Sequence, residues 1–119
     1  MTINLEDFRG PMLGFPLFNY FDFKKAIELS DRDFAELYLK LMEEYRYKDG
    51  WWTESKGIPS CSKCNEKISG PKDLRRYCGR SLHPNCFTEE IKIEMKSMNS
   101  IMKKYFNRVL KVDFSLLDN

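Results

Sequence analysis

Three of the four cysteines and the only histidine of this chain lie within 26 consecutive residues, and their spacing suits a metal site. Two residues separate Cys61 from Cys64, two separate His83 from Cys86, and 18 lie between the pairs. A two-residue spacer lets the backbone turn tightly while both side chains reach one ion, and Zn²⁺ prefers sulfur and imidazole nitrogen ligands. We therefore predict that these four residues bind one structural zinc ion.

The fourth cysteine, Cys78, lies between the two pairs and is an alternative ligand in place of His83. Seven residues would then separate Cys78 from Cys86, a spacing that forms no compact turn. Two disulfides are a further alternative, although the C-x2-C spacing beside a histidine favours metal in a reducing compartment. Four protein ligands leave no position for water, and His83 would be unavailable for acid–base catalysis, so we expect no enzyme and no small-molecule substrate.

The composition is typical of a globular protein rather than a membrane protein or a disordered chain. Of its 119 residues, 42% are hydrophobic and 32% are charged, which suits one small domain spanning 1–119. There is no run of 18 apolar residues, and Glu6 and Asp7 stand where a signal peptide would have a basic start. We expect an intracellular protein, cytoplasmic or nuclear, that does not contact membranes.

Hydrophobic periodicity predicts helices on both sides of the cysteine-rich segment. Residues 1–20 mix glycine and proline with aromatic side chains, which predicts an extended arm packed on the core. Residues 21–50 form the helical part, with one helix from Asp22 and another that begins after a cap at Ser30 and stops at Asp49-Gly50. Residues 88–112 are predicted to form one long helix capped by Thr88.

The segment 60–88 combines a knuckle, a hairpin and the start of a helix. Gly70-Pro71-Lys72-Asp73 is a turn signal, so residues 67–69 and 74–78 are predicted to pair as a short β-hairpin. This order of elements is that of a treble-clef zinc finger. The predicted fold class is α+β, mostly α, in a small single domain with N-terminal helices, a treble-clef finger and a long C-terminal helix.

The stretch CSKCNEKISGPKDLRRYCGRSLHPNCF resembles the first zinc module of LIM domains, which has a C-x2-C pair, a similar spacer and an H-x2-C half-site often followed by Phe. It is also similar to the fingers of poly(ADP-ribose) polymerases, through Ile68, Leu74-Arg75 and the ending from His83 to Phe87. The resemblance covers about residues 60–88. It implies a zinc finger that contacts either a protein partner or DNA.

Charge is distributed unevenly, which suggests an anionic partner for the finger. Lys56 to Cys86 contains seven basic and two acidic residues, whereas Met1 to Gly50 contains seven basic and ten acidic ones. Candidate contacts to nucleic acid, DNA or RNA, are Lys67, Lys72, Arg75, Arg76, Arg80 and the tryptophans Trp51 and Trp52, whose rings could stack on bases. The alternatives are an ordinary solvated face for the cations and internal packing for the tryptophans.

The last predicted helix has apolar residues at alternating steps of four and three, the spacing of a heptad seam. Candidate contacts to a protein partner or a second copy of the chain are Ile91, Met95, Met98, Met102 and Tyr105. Further apolar positions widen this surface, which favours packing into the domain itself. The sequence thus gives a primary hypothesis of a non-enzymatic zinc protein that binds nucleic acid, and an alternative of a LIM-like protein-interaction adaptor.

Overall fold

The computed structural model describes residues 3–8, 22–48, 60–77 and 80–118, and these contain four α-helices and one two-stranded sheet. The helices are α1 (Phe23–Ala26), α2 (Asp31–Lys48), α3 (Pro84–Glu94) and α4 (Ser100–Leu110). The strands are β1 (Arg75–Tyr77) and β2 (Arg80–Leu82). Short 3₁₀ helices cover Leu5–Phe8, Pro71–Asp73, Met95–Ser97 and Phe114–Leu117. The prediction of a mostly helical α+β chain is confirmed.

These residues belong to two compact units. One comprises the chain up to Tyr38 together with the chain from Met98 onward, and the other comprises Leu39–Ser97. No helix in the described part of the chain is both long and apolar enough to cross a membrane. The metal-binding candidates that the structure describes all lie in the second unit.

The two N-terminal helices begin where the sequence predicts. The Asp22 carboxylate accepts a hydrogen bond from the Lys25 amide at 3.0 Å, and the Ser30 hydroxyl accepts one from the Asp33 amide at 3.1 Å. Each side chain satisfies an amide that the first helical turn leaves unpaired. The predicted stop at Asp49-Gly50 lies outside the described residues. So does most of the aromatic arm, whose described part contains the Leu5–Phe8 turn and buries Phe8.

Arg108 links α4 to the connection between α1 and α2 in the first unit. Its guanidinium donates to the carbonyls of Ile27 and Leu29, forms a 2.8 Å ion pair with Asp31 and lies 4.7 Å from the centre of the Phe34 ring. The carbonyls at the end of a short helix lack partners in the helix, and a C-terminal cation also complements the helix dipole. One side chain therefore holds three segments of this unit together.

The hairpin of the second unit lies later in the chain than predicted. β1 and β2 are antiparallel, with Arg75 opposite Leu82, Arg76 opposite Ser81 and Tyr77 opposite Arg80. Gly70 to Asp73 forms no hairpin turn, because Pro71 starts a 3₁₀ turn in which the Leu74 amide donates to the Pro71 carbonyl. The predicted strand 67–69 contributes one isolated bridge, between Ser60 and Lys67.

The prediction of one long helix over 88–112 is wrong. Helix α3 begins at Pro84 rather than after Thr88, whose hydroxyl donates to the Pro84 carbonyl within the helix. It ends at Glu94, a 3₁₀ turn follows, and the Asn99 side chain caps α4 by accepting from the Met102 amide at 2.9 Å. A side-chain cap of this kind starts a new helix, and the apolar steps of four and three conceal it because they continue across the break.

Candidate metal centre

The first two candidate ligands lie on a tight backbone turn. The Asn65 amide donates to the Cys61 carbonyl at 2.9 Å, and the Cys61 amide donates to the Glu66 carbonyl at 2.8 Å. Asn65 has a φ of 65°, the left-handed region that asparagine tolerates better than most residues with a Cβ. The Lys63 amide lies 3.4 Å from the Cys61 sulfur and donates to it. The knuckle thus holds both sulfurs on one side of the turn.

The second pair of ligands is positioned by the start of α3. His83 is the residue that precedes the helix, Pro84 occupies its first position and Cys86 lies in its first turn. The Phe87 amide donates to the His83 carbonyl at 2.8 Å, and the Phe87 ring is buried in the core of the second unit. Proline at this position favours helix initiation because it sacrifices no intrahelical hydrogen bond. The helix start therefore fixes the direction of both ligand side chains.

The four predicted ligands converge on one point. The sulfurs of Cys61, Cys64 and Cys86 and a ring nitrogen of His83 all lie within 4.8 Å of one another, and the Cys64 sulfur is 3.2 Å from His83 Nδ1. Sulfurs at about 2.3 Å from a tetrahedral zinc ion are about 3.8 Å apart, so the cluster is close in size to a zinc site. These residues could hold one metal ion, consistent with a single zinc. Cys78 lies outside the described residues, and the three described cysteines are free thiols.

The His83 ring is oriented by groups that the sequence analysis did not identify. Its Nε2 lies 3.0 Å from the Lys67 carbonyl and 3.6 Å from the Asp73 carboxylate, which also accepts from the Ser69 amide and hydroxyl at 3.4 Å. Because a carbonyl can only accept, Nε2 is the nitrogen that keeps its proton when a metal binds, and Nδ1 is the nitrogen that faces the sulfurs. Outer contacts of this kind fix the tautomer of metal-binding histidines. No spacing rule in the sequence points to Lys67 or Asp73 as these partners.

The thiols and the imidazole of the cluster shift one another's pKa values. Burial raises the pKa of Cys61, but hydrogen bonds from the amides of Cys64, His83 and Lys63 and from the His83 ring outweigh it, so that the pKa falls to about 6. The hydrogen bond with Cys61 raises the pKa of His83 to about 9. Burial and the neighbouring sulfurs raise the pKa of Cys86 to about 12. A bound cation would allow all three sulfurs to be ionised together at neutral pH.

The basic residues of the finger are less available than the sequence suggests. Arg75 is only 7% exposed, and its guanidinium donates to the carbonyls of Lys72 and Leu74 at 2.9 Å, so it supports the turn rather than presenting charge to a ligand. The sequence predicts Arg75 as a surface contact to nucleic acid, but in the structure its side chain is buried. The Arg76 guanidinium donates to the Ser81 hydroxyl at 3.0 Å, across the hairpin.

Two further cations of the finger form ion pairs with the start of α3. Arg80 lies 3.6 Å from Glu90, and Lys63 lies 3.3 Å from Glu89 and 3.4 Å from Glu90. Glu89 and Glu90 follow Cys86 in the chain, so they lie outside the basic segment from Lys56 to Cys86. Lys67 and Lys72 are exposed, and Trp51 and Trp52 lie outside the described residues. Lys63, Arg75, Arg76 and Arg80 thus each have a partner within the second unit.

The candidate partner-binding residues of the last predicted helix fall on separate elements. Ile91 in α3 and Tyr105 in α4 are buried, with exposures of 0% and 5%, so they contribute to the cores of their own units. Met95, Met98 and Met102 are half-buried around the break between the helices. Ile93 is one of the further apolar positions that favour packing into the domain, but it is 75% exposed on α3.

Fold and site together define a small α+β protein with a Cys3His metal-binding group. No protein-family model, curated protein or solved structure matches the chain.

Proposed function

We propose that this chain is a non-enzymatic protein in which one structural zinc ion holds a treble-clef finger, and that the finger binds nucleic acid. The observation that carries the zinc assignment is the convergence of Cys61, Cys64, His83 and Cys86 within 4.8 Å. The order of a knuckle, the β1–β2 hairpin and a ligand-bearing helix start supports the treble-clef topology. Four ligands that include three sulfurs close the coordination sphere, which supports a structural role.

Between Ser60 and Ser97, the described part of the chain around the site contains little regular structure apart from α3, which supports a role for the ion in folding. β1 and β2 have three residues each, and the buried side chains near the site are few: Cys61, Ile68, Leu74, Leu82, Phe87 and Ile91. Small units of this kind commonly depend on a metal, and structural zinc contributes on the order of 10 to 16 kcal/mol in zinc-finger peptides. The free thiols also fit the reducing intracellular compartment that we propose for the protein.

Zinc content after single substitutions tests the ligand assignment. We expect about one zinc per chain in the wild type and in Cys78→Ser, and loss of tightly bound zinc in Cys64→Ser and His83→Ala, because only the latter pair removes ligands. Mass-spectrometric metal analysis after dialysis against a weak chelator gives the stoichiometry. Zinc retained in His83→Ala and lost in Cys78→Ser would show that Cys78 is the fourth ligand.

Nucleic-acid binding by the finger depends on Lys67 and Lys72, which are exposed, and on Arg76 at the hairpin. Long cationic side chains on a rigid backbone are suited to phosphate contacts. Fluorescence anisotropy with labelled single-stranded and duplex oligonucleotides tests this proposal. Binding should weaken steeply between about 50 and 200 mM salt, and a Lys67→Gln/Lys72→Gln variant should bind more weakly. A wild-type protein that binds neither oligonucleotide at low salt contradicts the proposal.

A protein-interaction adaptor is the second candidate, and the exposed side chain of Ile93 favours it. An isoleucine that is 75% exposed on a helix next to a rigid metal site is suited to insertion into a partner's pocket. If Ile93 mediates self-association, light scattering should show a mass above the monomer that falls to the monomer value in Ile93→Ser. A monomer at every concentration argues against this form of the adaptor.

A further inference from the structure

The longest stretch of the sequence without an acidic residue surrounds α4 rather than the finger. Between Met95 and Val112 there are five basic residues and no acidic residue. Four of the five lie on α4 or at its C-terminal cap: Lys103, Lys104, Arg108 and Lys111. The helix has no acidic residue, so none of these cations has an acidic partner three or four residues away on α4.

The lysines of α4 lie on the face opposite its buried side chains. Tyr105, Phe106 and Val109 are buried in the first unit, whereas Lys103, Lys104, Asn107 and Lys111 are exposed. Positions 104, 107 and 111 follow each other at steps of three and four, so they form one stripe along the helix, and position 103 flanks it. We call these four residues the α4 basic face.

The described carboxylates near the end of α4 form no ion pair with the lysines of this face. Asp31 pairs with Arg108 at 2.8 Å, and Asp113 accepts from the Ser115 amide at 3.0 Å and from its hydroxyl at 2.6 Å. Within the described part of the chain, Lys103, Lys104 and Lys111 form no ion pair, although Lys111 lines a cavity of about 380 Å³ together with Asp31 and Asp113. In contrast, Lys63 and Arg80 of the finger are paired with Glu89 and Glu90.

We propose that the α4 basic face binds the phosphate backbone of a nucleic acid. Lys104 and Lys111 are seven residues apart, about 10.5 Å along a helix, and a strand has one phosphate per about 3.4 Å of its axis, so a strand lying along the stripe brings several phosphates within reach of these long side chains. The Asn107 amide lies between them as a neutral hydrogen-bond donor, and such side chains commonly contact phosphates.

An anionic membrane is a poorer fit to the same face. Helices that lie on membranes insert their apolar side into the boundary between headgroups and acyl chains. In α4 that side is already buried through Tyr105, Phe106 and Val109, so only the charges are available. The inference shares the class of partner with the proposed function but assigns the contact to a different surface.

Oligonucleotide anisotropy on three zinc-loaded proteins separates the two surfaces. The proteins are the wild type, a helix variant (Lys103→Gln/Lys104→Gln/Lys111→Gln) and a finger variant (Lys67→Gln/Lys72→Gln). We expect the helix variant to lose roughly tenfold or more in affinity at low salt, and the slope of log affinity against log salt to flatten by about 2 to 3. Replacement of the same three lysines by arginine should retain binding, because the charge is retained.

Each outcome decides between the proposals. Weakening in the helix variant alone supports the α4 basic face and contradicts binding by the finger, whereas weakening in the finger variant alone overturns the inference. Weakening in both supports both surfaces, and a wild type that binds no oligonucleotide refutes both. Binding of the wild type to phosphatidylserine vesicles but not to oligonucleotides would also overturn the inference. Equal zinc content and equal circular dichroism spectra ensure that the variants are folded.

Discussion

Replacement of Asn65 by alanine should weaken zinc binding even though its side chain is not a ligand. Asn65 follows Cys64 directly and has a φ of 65°. A Cβ in the left-handed region costs roughly 1–2 kcal/mol, a cost that glycine avoids and that asparagine partly avoids. If the knuckle folds as zinc binds, this cost appears in the zinc affinity.

The magnitude follows from this backbone cost alone. A cost of about 1–2 kcal/mol corresponds to a dissociation constant raised by roughly 5- to 30-fold, since about 1.4 kcal/mol is a factor of ten. Asn65→Ala should lie at the lower end of that range and Asn65→Val at the upper end, because β-branched side chains tolerate positive φ least. Asn65→Gly should bind zinc within about a factor of two of the wild type, because glycine avoids the Cβ cost.

Competition with a chromophoric zinc chelator measures these affinities. Asn85→Ala is a matched control, since Asn85 is exposed in the first turn of α3 beside Cys86 and needs no left-handed backbone. Equal zinc affinity for Asn65→Ala and Asn65→Gly would refute the argument, because the two variants differ only in the Cβ at the left-handed position.

Three further predictions follow from the same structure. Zinc binding at pH 7 should release protons, including those of His83 and Cys86, whose metal-free pKa values are raised to about 9 and about 12, so affinity should increase as the pH rises toward 9; calorimetry in buffers of different ionisation enthalpy measures the release. Arg108→Gln should destabilise the protein by about 2–4 kcal/mol in urea unfolding, because it removes charge-assisted hydrogen bonds. Asp31→Asn should cost at most about 1 kcal/mol, because the Asp31 carboxylate is exposed. Glu90→Gln should tighten low-salt oligonucleotide binding if the finger is the binding surface, because it releases positive charge; unchanged anisotropy would argue against the finger.

Features that depend on local sequence could be predicted from this chain. The caps at Asp22 and Ser30 act within one helical turn, so their side chains identify the helix starts directly. The two ligand pairs are likewise short turns, and their two-residue spacing was enough to predict which four side chains converge. The break near Asn99 was missed because apolar spacing dominated the interpretation, although an asparagine followed by serine is itself a possible helix start.

Features that depend on pairing between distant residues could not be predicted. The sequence predicts Arg75 as a surface cation, but its guanidinium donates hydrogen bonds to two carbonyls of the turn before β1. The carbonyl of Lys67 could not be predicted as the partner of His83. Sequence patterns describe side chains rather than carbonyls, and the two residues are 16 positions apart. Glu90 pairs with Arg80 because the fold of the second unit brings the start of α3 beside the hairpin.

The zinc ion itself strengthens the case for α4 over the finger as the anion-binding surface. Three thiolates and one Zn²⁺ have a net charge of −1, whereas three neutral thiols and a neutral imidazole have none. Occupation of the site by zinc therefore lowers the net positive charge of the finger. Glu89 and Glu90 lower it further through Lys63 and Arg80. Neither effect changes the charge of α4 itself, which has exposed lysines and no acidic residue. In a finger that is already folded, loading with zinc should therefore weaken phosphate binding while leaving the α4 basic face unchanged. Anisotropy of the finger variant and the helix variant across a zinc titration distinguishes these responses: a helix variant whose residual binding tightens as zinc is added, in a protein already folded by circular dichroism, would contradict this charge argument.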